Sequence, residues 1–154
     1  MHKPIIIPFL LTVFVSLSLT TGCGPEATLD TSDKETFINS ISQTWAVDEG
    51  SYVLIEDQDI THLLTGFEIA IDEDLNFVTN SDQLTLEEFP WPTSGSFDLN
   101  DEFTELTRDD GLVVIVAIGD DGESLEFGFE ADENTTSRTL GIRGGWKVRL
   151  NKKP

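Results

Sequence analysis

The sequence predicts an all-β domain, a small antiparallel up-and-down barrel of about 8–10 strands with one short N-terminal helix. Two observations carry this. Turn-forming clusters recur roughly every 8–12 residues, and the segments between them are short and half apolar. Half-apolar strands joined by tight turns pair antiparallel, with one face buried and the other wet. Closing such a sheet on itself removes its open edges.

Ser32-Asp33-Lys34-Glu35 matches a capping box, and Phe37, Ile38, Ile41 and Trp45 follow at near-helical spacing. This predicts a helix over 33–42 with Phe37, Ile38 and Ile41 against the strands. Segments 44–47 and 51–56 read as strands flanking Asp48-Glu49-Gly50, a hairpin-like turn. Phe67, Ile69 and Ile71 alternate with Glu68 and Ala70, and Asp72-Glu73-Asp74 leads into a strand over 76–79. Residues 80–94 form a longer loop that holds Phe89-Pro90-Trp91-Pro92. Strands over 95–99 and 103–107 follow, separated by Asn100-Asp101 and ended by Arg108-Asp109-Asp110-Gly111. Segment 112–118 is apolar throughout and reads as the most buried strand. Gly119-Asp120-Asp121-Gly122 turns into 124–130, with Leu125, Phe127 and Phe129 inward and Glu126 and Glu130 outward. A weak strand over 138–142 and a last one with Trp146, Val148 and Leu150 inward complete the set.

The chain opens with His2 and Lys3, a mostly apolar run from Ile5 to Leu19, the small residues Thr20-Thr21-Gly22, and then Cys23. The run suits a signal h-region and is short of the roughly 18–20 apolar residues that span a bilayer. Apolar run, small residues and cysteine together resemble the lipobox of bacterial lipoproteins. Thr20 stands where that family usually has an aliphatic residue. The resemblance implies a signal peptide over 1–22 and a diacylglycerol on the Cys23 thiol. It also implies cleavage before Cys23 and an acyl chain such as palmitate on the new amine. An ordinary secretory peptide is the plain alternative. Residues 23–31 then form a lipidated tether and 32–154 the barrel domain. Each buried methylene adds about 0.8 kcal/mol of membrane affinity, so several chains on one residue hold the protein to a membrane without spanning it. Gly24, rather than Asp, after the cysteine points to the outer membrane of the cell envelope under enteric-type sorting.

Cys23 is the one cysteine, so an acylated chain has no thiol left for disulfides, catalysis or metal. The formal net charge is −20, and loss of Lys3 makes it one unit more negative. Such a chain lacks the positive field that nucleic acid requires. All 29 acids lie between Glu26 and Glu133, while Arg138, Arg143, Lys147, Arg149, Lys152 and Lys153 follow them. A basic final strand against an acidic body would pair charges across the sheet.

Gln43-Thr44-Trp45 resembles the early-tryptophan motif of lipocalins, although a glycine stands in the place of Gln43 there. The stretch from Trp91 to Phe129, through Pro92-Thr93-Ser94-Gly95-Ser96-Phe97, Leu106-Thr107-Arg108-Asp109-Asp110-Gly111 and Leu125-Glu126-Phe127-Gly128-Phe129, is similar to lipocalin-like lipoproteins of the Bacteroidetes type. The resemblance covers most of residues 40–150. It implies the same small barrel and, weakly, a small ligand. Lipocalins also lay an arginine from near the chain end across the early tryptophan, a role open here to Arg138, Arg143 or Arg149.

Catalytic chemistry finds little support in the residues. His62 is the one histidine beyond the signal segment, it lies in a polar connection, and no G-x-S-x-G elbow presents a nucleophile. The acidic clusters Asp57/Asp59, Asp72/Glu73/Asp74, Asp109/Asp110 and Asp120/Asp121 fall at turns, where aspartate is favoured for backbone reasons, and none completes a calcium loop. No catalytic residue, metal or cofactor is therefore expected. Phe89 and Trp91, stiffened by two prolines, are the candidate ligand or lid residues; their alternative role is to plug one end of the core. Trp45 and Trp146 read as core. The expected function is a monomeric, membrane-anchored barrel that binds a small apolar or amphipathic ligand. The rival is a solid barrel that recognises an envelope polysaccharide or protein with its surface, and an enzyme comes third.

Overall fold

The computed structural model describes residues 31–84, 86, 89–131 and 144–154. The expected signal peptide, Cys23, its tether up to residue 30 and the weak strand over 138–142 lie outside these residues. The elements are α1 (Thr31–Ile41), β1 (Thr44–Ala46), β2 (Tyr52–Ile55), β3 (Gln58–Asp59), β4 (Glu68–Ile71), β5 (Asn76–Thr79), β6 (Ser94–Leu99), β7 (Glu105–Arg108), β8 (Val113–Ile118), β9 (Ser124–Ala131) and β10 (Gly144–Lys152). All strand pairings are antiparallel. The order runs β1-β4-β5-β6-β7-β8-β9-β10, and β1 pairs back onto β10. The result is the expected all-β, up-and-down barrel, closed by eight strands and preceded by one short helix. The small β2–β3 hairpin hangs from β10 beside β1.

The segment at 48–50 departs from its expected form. Trp45 and Ala46 face Lys152 and Asn151, while Tyr52 faces Arg149 and Ile55 faces Trp146. β1 and β2 therefore run in the same direction along one edge of β10. Ala46 and Tyr52 are six positions apart, whereas their partners Asn151 and Arg149 are two apart, so the chain between them bulges out of the sheet instead of reversing. Asn151 pins the bulge, its Nδ2 donating to Asp48 Oδ1 and to the Glu49 carbonyl. An Asp-Glu-Gly run supplies the same backbone freedom to a bulge as to a hairpin, with Gly50 at φ +90°.

β8 departs too. Val114 and Val116 point into the core, but Val113 and Ile115 are 46% and 61% exposed. A barrel strand has one inner face only, so an unbroken aliphatic run places half its side chains outside.

Elsewhere the inward faces are those the alternation predicts. Ile69, Ile71, Leu125, Phe127, Phe129, Trp146, Val148 and Leu150 are buried. The helix closes one end of the barrel. Ile41 is buried, Phe37 stacks on Phe103 of the β6–β7 turn at 6.0 Å, and the Ser42 hydroxyl donates to the Asp72 carbonyl of the β4–β5 turn. Trp45 ties helix to sheet: its Nε1 donates to the Ile41 carbonyl at 2.9 Å, which satisfies one of the acceptors that a helix end leaves open. The basic last strand pairs as expected where it is described. Lys147 meets Asp57 at 2.8 Å, Arg149 lies 3.5 Å from Glu126, and Lys153 meets Glu68 at 2.6 Å. Such exposed pairs contribute little each.

Gly95 faces Phe77 across the sheet, and a Cβ there would sit 2.7 Å from the Phe77 ring. That ring is buried and held between Phe97 and Trp91. Gly95→Ala is expected to destabilise the fold by about 1–3 kcal/mol in urea melts. An unchanged midpoint would mean that the ring moves aside freely.

Candidate binding site

The interior opposite the helix is where a lipocalin-like barrel would hold a ligand, and the sequence nominates Phe89 and Trp91 for it. Both lie in the connection between β5 and β6, which turns inward. The Thr79 N–H donates to the Thr93 carbonyl and its hydroxyl to the Pro92 carbonyl, each at 2.8 Å. These bonds fix where the segment leaves the sheet. Proline at 90 and 92 stiffens what lies between.

The two rings finish inside the barrel, Phe89 at 7% and Trp91 at 4% exposure. Trp91 stacks on Phe127 at 5.4 Å and meets Phe129 edge-on at 5.3 Å. It also meets Phe77 and Phe97 edge-on, at 6.1 and 6.2 Å. Phe89 sits against Phe67 at 4.9 Å and Trp146 at 5.6 Å, and Trp146 stacks on Phe129 at 5.7 Å. The aromatic side chains thus form one connected body from β4 round to β10. Each such ring contact adds about 0.5–1.5 kcal/mol beyond the area it buries. Trp91 presents no ring to solvent on which a sugar could stack.

Arg108 locks this arrangement, and nothing in the sequence marked it beyond its place at the start of a turn. It ends β7, is 2% exposed, and lies with its guanidinium 5.3 Å from the Trp91 ring centroid. Its Nη1 donates to the Pro90 carbonyl at 2.9 Å, and its Nε and Nη2 bond both oxygens of Asp110. Residues far apart in the chain meet here because the β7–β8 turn and the β5–β6 connection share one end of the barrel. The arginine-over-tryptophan contact of the described residues is therefore Arg108 on Trp91. Arg149, one of the three candidates for a contact with Trp45, instead donates to Ser124 Oγ and faces Glu126 on the outer side of the sheet. Arg138 and Arg143 lie outside the described residues.

Partial burial works to raise the Asp110 carboxyl. The Arg108 hydrogen bonds and charge, with a bond from the Leu112 N–H, outweigh it and leave the pKa below the ordinary 3.8. Two indole N–H groups, those of Trp91 and Trp146, are buried with no acceptor among the described residues. Buried donors of that kind ordinarily find a protein, water or ligand oxygen.

The other sequence candidates stay apart from this interior. His62 is exposed on a short 3-10 turn at Thr61–Leu63. Apart from Asp110, which holds Arg108, and Asp57, which meets Lys147, the bonded aspartates of these clusters serve their own turns. Asp72 accepts from Asn76 and the Asp74 N–H, Asp59 from Thr61, and Asp121 from the Glu123 N–H. These bonds draw the Asp72 carboxyl down, chiefly through the Asn76 side chain, and the Asp59 carboxyl down, chiefly through the Thr61 hydroxyl. Among the described residues no three His, Asp or Glu side chains gather as a metal site would need.

No family model matches the chain. No curated protein and no solved structure matches it either.

Two outcomes follow from the lock on Trp91. Asp110→Ala takes the carboxylate from a buried guanidinium and is expected to cost about 3 kcal/mol in urea melts, at the low end for a buried pair because the carboxylate is partly exposed. A folded-state pKa below the unfolded value stabilises above the unfolded pKa and ceases to do so as pH falls through the folded one. The gap between wild type and Asp110→Asn should therefore be widest near neutrality and narrow below about pH 4. A gap that stays constant down to pH 2.5 would show that the pair does not govern the acid limb.

Proposed function

We propose that the chain is an envelope lipoprotein, held to a membrane through an acylated Cys23, whose barrel acts by its outer surface as an interaction module. One observation carries the second half of this reading. The space in which a lipocalin-like ligand would lie is occupied by the protein's own Trp91, packed on Phe77, Phe97, Phe127 and Phe129. An eight-stranded barrel has an interior that side chains can just fill, and here a connection is folded inward to fill it. The lipobox resemblance at Thr20-Thr21-Gly22-Cys23 supports the first half, and the outer membrane is the membrane proposed.

A second reading draws on the two buried indole N–H groups that lack acceptors among the described residues. In it, a small molecule carrying an oxygen acceptor shares the interior with the rings.

Native mass spectrometry of the protein, gently extracted from its own membrane, tests both halves. The surface reading expects a chain that begins at an acylated Cys23 and carries no other mass. A reproducible extra mass released only on unfolding would overturn it in favour of the occupied barrel. An unmodified or differently cleaved N-terminus would overturn the anchor. Trp91→Ala supplies an independent check. It is expected to cost about 3–5 kcal/mol and to create saturable binding of an environment-sensitive hydrophobic dye that wild type lacks.

A further inference from the structure

We infer that the outer face of β8 and β9 is the docking surface of this module, and that it receives an extended protein segment alternating apolar with basic side chains. The inference rests on the reading of the barrel as an interaction module and names its working face.

The first observation is composition against position. The outward residues of a sheet that faces water are ordinarily polar. Val113 and Ile115 are large aliphatics on that side, at successive outward positions, and the exposed Ala117 continues the stripe. Val78, the comparable residue on β5, stands between Ala70 and Ser94 and is the kind of isolated exposed residue any surface carries.

The second observation is shape. Gly128 pairs with Ile115 on one side and Lys147 on the other, so the sheet between those side chains is bare backbone. A depression of about 580 Å³ lies over it, lined by Val113, Ile115, Gly128 and Gly145. A smaller one of about 180 Å³ shares Ile115, Gly128 and Lys147 and reaches Ala117 and Glu126. A third, of about 440 Å³, continues from Ala117 and Glu126 to Asp120 and Asp121. Together they follow the length of β8, about 20 Å for six extended residues. A groove of that length suits a stretch of chain better than a compact small molecule.

The third observation is charge. Glu56, Asp57, Glu105 and Glu130 rim the first of these depressions, and its one basic residue, Lys147, is already bonded to Asp57. Asp120, Asp121 and Glu126 surround Arg149 at the far end. An apolar floor within an acidic rim complements a segment that places leucine-like side chains down and lysine or arginine at the sides. A second copy of this chain would bring acid against acid, on bodies of net charge −20. β8 is already hydrogen-bonded to β7 and β9, so the contact is made by side chains and not by addition of a strand.

The probe is a fluorescein-labelled seven-residue peptide alternating lysine and leucine, titrated by anisotropy into the full chain in a mild non-ionic detergent. Binding should be saturable. Ile115→Ser should weaken it about tenfold, as should Gly128→Leu, which fills the depression; a Cβ at Gly128 meets nothing closer than 3.9 Å, so the new side chain starts without a clash. Val78→Ser should leave binding unchanged, and peptides with glutamate for lysine or serine for leucine should not bind. Three results would overturn the inference: no saturation, equal binding by Ile115→Ser, or a dimer that Ile115→Ser dissolves. An occupied interior in the mass spectrum would defeat the reading beneath it. Failure of the wild-type chain to bind the peptide, with an empty interior, would defeat the choice of face alone.

Discussion

Pairing of β1 with β10 closes the sheet and leaves a lumen about one layer of side chains across, and the rest of the molecule answers to the need to fill it. Inward residues from the strands alone reach the centre at the helix end, where Trp45, Ile41 and Leu150 are buried. At the other end the connection after β5 supplies Phe89 and Trp91 from outside the sheet. Packing of large rings across the lumen supplies both burial and rigidity to a closed barrel that has no disulfide to hold it.

That filling has an electrostatic cost, met at Arg108. A guanidinium buried among rings is tolerated because it is engaged by the Trp91 face, the Pro90 carbonyl and the two oxygens of Asp110. The contact has a direction as well as a strength. It ties the inserted segment to the neighbouring β7–β8 turn, so the plug is fastened at one point by charge and over its length by apolar contact. The arginine also holds a polar backbone carbonyl that insertion would otherwise leave dry.

The outer face of the barrel is not uniform either. Acids dominate it, and several of them serve turns or the basic last strand. Against that background the aliphatic outer stripe of β8 is the feature that ordinary solvation does not explain. Gly128 matters to it for what it lacks, since a side chain at the centre of the row from Ile115 to Lys147 would erase the groove.

Much of this protein was legible in the order of its residues. The strand set, the inward residues of β4, β9 and β10, the helix before β1 and the aspartate-rich turns follow from period-two alternation and turn chemistry, which are local properties of neighbouring residues. The plugging role of Phe89 and Trp91 was visible as one of two alternatives, because a proline-stiffened aromatic loop can be presented or buried. Only the tertiary structure shows that both rings are buried, Trp91 against Phe77, Phe97, Phe127 and Phe129 and Phe89 against Phe67 and Trp146, partners that lie elsewhere in the chain. The bulge at 48–50, the exposed half of β8 and the seat of Arg108 were likewise decided by which strands lie side by side. The closure of β1 on β10 and the seat of Arg108 beside Trp91 join residues far apart in the chain, and no short window of sequence contains both partners.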